Sequence, residues 1–260
     1  MKYLALILVL TLWLAEANVE KLNVSVHRHS GGRIVGGVDA TADQAPFQVA
    51  LQYLGFLVGL TYAVVHWLAP NPYLTASQLR VQYGGLDRTN LAYTNLVQQI
   101  YQHSQYNIPA KYDYDYTVLR LQDKIQTSAT IKTIELVDAT PAAGSKAQLT
   151  GWGRTVGSDP NSSPAKLQYA EFTLITREEC QRRSNNVFTD PPTVTTQMIC
   201  AENKAASGCK GDSGGPLVVG GKLAGIVSWG AGTCPPDTTV YPTAYADVGA
   251  QRAWLQSNIV

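Results

Sequence analysis

Net charge, histidine, cysteine and methionine are all in short supply in this chain of 260 residues, which has a formal charge of +1, four histidines, four cysteines and two methionines. A near-neutral balance lacks the basic excess with which a protein neutralises phosphates, so no nucleic-acid partner is expected. Internal repeats, low-complexity tracts and long charge runs are missing as well, and Arg182-Arg183 reads as solvated surface. Apart from Leu4 to Leu14 no stretch is a membrane candidate, and that run is itself too short to span a bilayer.

At 45% hydrophobic residues the chain can bury a large core, and one compact unit is the default. Met1 to Ala17 combines Lys2, the apolar run and the small-residue cleavage site Ala15-Glu16-Ala17, the pattern of a secretory signal peptide. The mature protein is therefore expected to be soluble, secreted and extracellular. An oxidising destination makes the four cysteines a disulfide question with three pairings open. Residues 18–33 are polar and end in Ser30-Gly31-Gly32-Arg33, which reads as a flexible propeptide ahead of a domain spanning 34–260.

From Ile34 onward the pattern is one of short strands. Phe47, Val49 and Leu51 alternate with Gln48, Ala50 and Gln52, and Leu79, Val81 and Tyr83 alternate with polar neighbours, as half-buried strands do. Leu217 to Val219 and Leu223 to Val227 flank Gly220-Gly221-Lys222, a hairpin signal. Many short strands separated by turn residues predict an all-β barrel or sandwich. Gln251, Trp254, Leu255 and Ile259 recur at helical spacing, which predicts a C-terminal helix.

The chemistry concentrates in Ser207-Gly208-Cys209-Lys210-Gly211-Asp212-Ser213-Gly214-Gly215-Pro216. Glycines on both sides of Ser213 allow a sharp turn that exposes the hydroxyl beside backbone N–H groups. A nucleophile next to preorganised donors suits acyl transfer, where charge develops on a carbonyl oxygen; Gly211 and Ser213 are the expected oxyanion-hole donors. A serine hydroxyl needs a base and a group that orients it. His27 and His29 lie in the propeptide, so the base is His66 or His103; Asp113 and Asp115 are the candidate orienting acids.

Gly211-Asp212-Ser213-Gly214-Gly215-Pro216 resembles the nucleophile motif of the chymotrypsin/trypsin family of serine endopeptidases. Arg33-Ile34-Val35-Gly36-Gly37, Pro46-Phe47-Gln48-Val49, Gly151-Trp152-Gly153 and Ser228-Trp229-Gly230 follow that family's order, so the resemblance runs from Ile34 to the C-terminus. It implies two six-stranded antiparallel β-barrels with the active site in the cleft between them and a C-terminal α-helix. It also implies disulfides pairing Cys180 with Cys200 and Cys209 with Cys234. The order of the segments favours His66 as base and Asp115, directly before an apolar strand, as orienter. Around His66 the chain departs from the family: Tyr62-Ala63-Val64-Val65-His66-Trp67 stands where Thr-Ala-Ala-His-Cys is usual, the preceding stretch is shorter, and the bridge beside the histidine is missing.

The same resemblance implies a zymogen. Cleavage after Arg33 by a trypsin-like protease would free the Ile34 amine to pair with Asp212. Ser207 would form the pocket floor, where trypsin-like members carry an aspartate, with Gly208 and Gly230 in the walls and Thr243 in the closing segment. Apolar side chains of medium or small size are then expected to be accepted, unless Asp237 reaches the pocket from its lengthened loop. Ser228 and Gly230 would bind an extended peptide by their backbones. Expected partners are protein or peptide substrates, the activating protease and protein protease inhibitors; no cofactor or metal is expected. Asn161-Ser162-Ser163 is a candidate glycosylation site. The altered histidine segment keeps an inactive, binding or regulatory homologue as the alternative.

Overall fold

In a computed structural model the described residues are 34–53 and 75–259, with the backbone of Leu6–Leu10, Phe56–Leu60 and Val64–Val65. Arg33, His66 and the rest of the leader and propeptide lie outside them. In chain order the strands are β1 (Leu6–Leu10), β2 (Val38–Asp39), β3 (Val49–Tyr53), β4 (Phe56–Leu60), β5 (Val64–Val65), β6 (Leu79–Tyr83), β7 (Tyr93–Gln102) and β8 (Thr117–Leu121). They continue with β9 (Lys146–Gly151), β10 (Gln168–Ile175), β11 (Met198–Glu202), β12 (Pro216–Val219), β13 (Lys222–Trp229) and β14 (Thr243–Asp247). Two helices complete the inventory, α1 (Arg177–Val187) and α2 (Arg252–Asn258).

The expected all-β architecture is present as two sheets. The N-terminal one runs β4-β3-β6-β7-β8-β1-β5, antiparallel apart from the β1–β5 pair. The C-terminal strands β9, β10, β11, β14, β13 and β12 form a closed six-stranded barrel, because β10 pairs both with β9 and with β11. Strand β2 adds to the outside of this ring on β10. The predicted hairpin is β12–β13 around Gly220 and Gly221.

Burial shows where alternation fails. Strand β3 was expected to hide one face, yet Val49, Ala50 and Leu51 are all buried. Val49 and Leu51 face the main core, while Ala50 meets Trp152 and Leu167 in a second cluster on the other side. Trp152 also donates its indole N–H to the Leu86 carbonyl at 3.0 Å. Arg88 donates to the carbonyls of Pro164 and Ser163 nearby. These contacts fasten one sheet to the other behind the cleft.

Helix α2 begins after Gln251 and ends before Ile259, as the spacing predicts. Helix α1 went unforeseen. Its N-cap Thr176 accepts from the Glu179 N–H at 3.1 Å, and Thr-x-x-Glu is a helix-start signal. Arg182-Arg183 lies on this helix and requires correction. Exposed Arg182 pairs with half-buried Glu179, but the Arg183 side chain is only 18% exposed and bonds Glu179, Glu202 and the Thr239 carbonyl. Both expected disulfides are formed, Cys180–Cys200 and Cys209–Cys234. Among the described residues, no helix is long and apolar enough to cross a membrane.

Candidate active site

Asp115 and Ser213 come from different sheets. Asp115 precedes β8 in the N-terminal sheet, and Ser213 stands in the turn that leads into β12 of the barrel. Ser228, on β13, joins them: its hydroxyl donates to Asp115 Oδ2 at 2.6 Å. Asp115 is fully buried, and burial pushes its pKa well above the ordinary carboxylate value despite this bond. Its other oxygen, Oδ1, has no hydrogen-bond partner among the described residues. A buried carboxylate oxygen without a donor is costly.

The two remaining candidates are resolved by their packing. Asp113 is also buried, but its carboxylate accepts from the Thr195 hydroxyl, away from Ser228. His103 is 6% exposed, stacked on Tyr114 at 4.6 Å and set against Trp254 of α2 at 4.7 Å. Its Nδ1 accepts from the Gln105 N–H, Gln251 bonds the same side chain, and burial lowers its pKa. It is a packing residue beneath the C-terminal helix. His66 lies outside the described residues.

Around Ser213 the backbone turns sharply. Gly211 has φ +100° and Gly214 φ +79°, a region that a side chain makes costly. The Asp212 N–H donates to Cys209 O, Gly214 N–H to Val227 O and Gly215 N–H to Asp212 O. The Gly211 N–H has no partner among the described residues, the condition expected of a donor waiting for an oxyanion.

Asp212 points away from this turn into the protein. It is fully buried, with Oδ1 accepting from the Gly153 N–H at 2.8 Å and Oδ2 from the Cys209 N–H at 2.9 Å. Burial raises its pKa to about 6, and the two N–H bonds oppose that rise. Among the described residues no cation pairs with it. The Gly-Trp-Gly segment acquires a physical meaning here. A Cβ on Gly151 would lie 2.0 Å from Asp212 Oδ1, and one on Gly153 would lie 2.3 Å from Oδ2. Only glycine leaves room for the carboxylate. Ile34 is also fully buried, and the Val35 carbonyl accepts from the Ser207 N–H at 3.0 Å. The start of the expected mature chain thus already lies against the segment that carries Ser213.

Beside Ser213 is a cavity of about 50 Å³, lined among others by Gly208, Ser213, Ser228, Gly230 and Thr243. Ser207, expected at the floor, is not among these lining residues. It is 2% exposed, with its hydroxyl 3.4 Å from the Cys234 carbonyl. Thr243 faces Gly230, where a Cβ would sit 3.5 Å from Thr243 Oγ1. Asp237 does not line the cavity either; its carboxylate accepts from the Thr239 N–H and hydroxyl. The Cys209–Cys234 bridge ties two stretches of the wall together.

Three features escaped the sequence reading. The Ser228 hydroxyl bonds Asp115, although only its backbone was expected to contribute. Lys210 lines the cavity, although no role was expected of it within the Ser207–Pro216 stretch. Trp229 is held between the Tyr112 ring, stacked at 6.2 Å, and the edge of Phe188 at 6.2 Å. Aromatic residues scattered over 112–229 have no local pattern by which they could be grouped. Among the described residues no cluster of His, Cys, Asp and Glu is arranged to hold a metal ion.

The geometry can be set beside known proteins. The profile of the trypsin family matches residues 34–255. Trypsin alpha-4 of Lucilia cuprina is 36% identical over 234 residues, covering 87% of each chain. Hypodermin-B of Hypoderma lineatum is 35% identical over 240 residues, covering 87% of this chain and 88% of its own. Trypsin delta of Drosophila melanogaster is 33% identical over 235 residues, with the same two coverages. A buried acid bonded to Ser228, a glycine-flanked Ser213 and a carboxylate enclosed by Gly-Trp-Gly therefore stand within a chain that belongs to the trypsin family of serine proteases.

Proposed function

We propose that the chain is the secreted precursor of a serine endopeptidase that cleaves after apolar residues of small or medium size. In this reading Ser213 Oγ attacks the scissile carbonyl while His66 takes its proton, and the N–H groups of Gly211 and Ser213 bind the oxyanion. His66 then protonates the leaving amine, and water hydrolyses the resulting acyl-enzyme by the same route in reverse. Asp115 orients the imidazole and stabilises its charge. The observation that carries the assignment is the partnerless Oδ1 of a buried Asp115 whose Oδ2 is held by Ser228. A histidine N–H is the donor that this oxygen lacks.

Two of the three relatives named above are called trypsins, so the choice of an apolar substrate rests on this chain's own cavity. Among the described residues no carboxylate lines it, and Thr243 forms part of its wall. A buried lysine or arginine side chain would be left unpaired there, which is strongly unfavourable. Removal of residues 1–17 on secretion and cleavage after Arg33 complete the maturation, with the freed Ile34 ammonium supplying the cation that Asp212 lacks.

The test is to cleave the purified precursor with trypsin and treat it with a serine-directed organophosphate. One label per molecule, hydrolysis of an alanine or leucine ester, and loss of both in Ser213→Ala are expected. The inactive alternative draws on the two valines that precede His66 and the missing bridge beside it. Folded, cleaved protein that takes no label would establish that alternative.

A further inference from the structure

We infer that Asn161 carries an N-linked glycan that stands at the flank of the substrate cleft; the inference rests on the reading of a secreted chain. Between 34 and 260, Asn161-Ser162-Ser163 is the sole Asn-x-Ser/Thr triplet, and neither Ser162 nor Ser163 is proline. A second triplet, Asn23-Val24-Ser25, falls in the segment ahead of Arg33. A three-residue match alone is a weak signal, so the weight falls on the surroundings.

Asn161 is exposed and sits in a turn outside any strand or helix. Its backbone N–H donates to Asp159 Oδ1 at 2.8 Å, which fixes the turn and leaves the side chain directed to solvent. Among the described residues nothing bonds the Asn161 amide. The bordering Pro160 and Pro164 keep the segment from extending into regular structure. The amide nitrogen is thus available to displace the diphosphate of a polyprenyl-diphosphate-linked oligosaccharide. A C–N bond forms to the anomeric carbon, the C–O bond to diphosphate breaks, and the nitrogen gives up one proton.

What this glycan would do follows from where the turn is anchored. The Ser162 hydroxyl lies 3.0 Å from the Val156 carbonyl and accepts from the Val156 N–H at 3.1 Å. Thr155 Oγ1 donates to the Ser162 carbonyl at 2.9 Å. Asn161 is therefore next to Ser162, which is tied to Val156 in the segment 155–158 that forms one wall of a hollow of about 570 Å³. Lys210, Gly232 and Cys234 line both that hollow and the cavity beside Ser213. A bulky, hydrated sugar at this position lies beside the approach of a folded protein but not beside that of a small ester. It acts as a size filter on the cleft.

The experiment uses the full chain expressed in insect cells, collected from the medium and cleaved after Arg33, so that Asn23 is removed. Peptide N-glycosidase should lower the mass of the mature chain and convert Asn161 to aspartate. Asn161→Gln and Ser163→Ala should abolish that change. Ser162→Ala keeps the triplet and should retain the glycan, although it loses the hydroxyl that ties the turn. Asn161→Gln should leave ester hydrolysis unchanged and speed association with a folded protein inhibitor by about twofold or more, since steric and orientational limits govern that step. Secreted mature chain with unmodified Asn161 would overturn the inference. A parallel chain with a borrowed leader in place of residues 1–17 separates the two readings. Failure of only the native leader counts against the secretion reading, while unmodified Asn161 behind the borrowed one counts against the glycan.

Discussion

Asp212 and Thr243 show how single side chains set the behaviour of this site. The Asp212 pKa is raised from 3.8 to about 6 by burial, so the folded protein holds its proton more tightly than the unfolded chain does. The favourable contribution is complete below about pH 4 and is lost as pH rises through about 6; a shift of this size corresponds to about 3 kcal/mol. The uncleaved chain should therefore lose stability across that window, and Asp212→Asn should flatten the loss, as followed by urea unfolding at a series of pH values. Burial also raises Asp113, Asp115 and Asp247, while His103 and Glu179 are lowered and act in the opposite direction, so the slope left in the variant is the balance of these groups. An unchanged slope in the variant would show that Asp212 is not the titrating group. At the cavity, Thr243→Gly should open the space toward Ser207 and raise kcat/KM for a phenylalanine ester over an alanine ester by roughly tenfold, the scale of discrimination for a small change in an apolar pocket. An unchanged ratio would place the specificity elsewhere. Ser213 was legible because its glycines and neighbours lie consecutively in the chain. The bond from Ser228 to Asp115 was not, because its partners are 113 positions apart and both residue types are common on surfaces.

Among the elements, the hairpin β12–β13 and helix α2 could be read directly from turn residues and periodicity, since both are encoded locally. Helix α1 was missed for a physical reason: only Cys180 and Ser184 are buried along it, so it presents no apolar stripe to detect. Its stability rests on its cap and its ion pairs more than on burial. Thr176→Ala should lower the unfolding free energy by about 1 kcal/mol through loss of the cap, measurable as a shift in urea midpoint. A midpoint unchanged within error would mean that the cap contributes nothing. Strand β3 misled in the opposite direction, because its register predicted a wet face that Trp152, about a hundred positions later, covers.

For the molecule as a whole, the all-β class and the division into two sheets were accessible from strand spacing together with the family resemblance. Closure of the second ring came from the resemblance alone, because strand spacing does not reveal that β10 meets β11 across the intervening helix α1. The proposed specificity bears on maturation. If the pocket rejects cations, as proposed, it cannot process the bond after Arg33, so purified precursor should remain intact on prolonged incubation at high concentration and convert only when trypsin is added. Spontaneous conversion that accelerates with protein concentration would contradict the apolar pocket.

Strand β2 has a mechanical consequence for that cleavage. Val38 and Asp39 are laced to β10, the Ala40 N–H donates to the Leu167 carbonyl, and Gln168 Nε2 donates to Asp39 Oδ1. A newly cut end at Ile34 is therefore leashed by only residues 34–37, a reach of about 14 Å when fully extended. On so short a leash a terminus freed there would not diffuse away, and its local concentration would far exceed that of any free amine in solution.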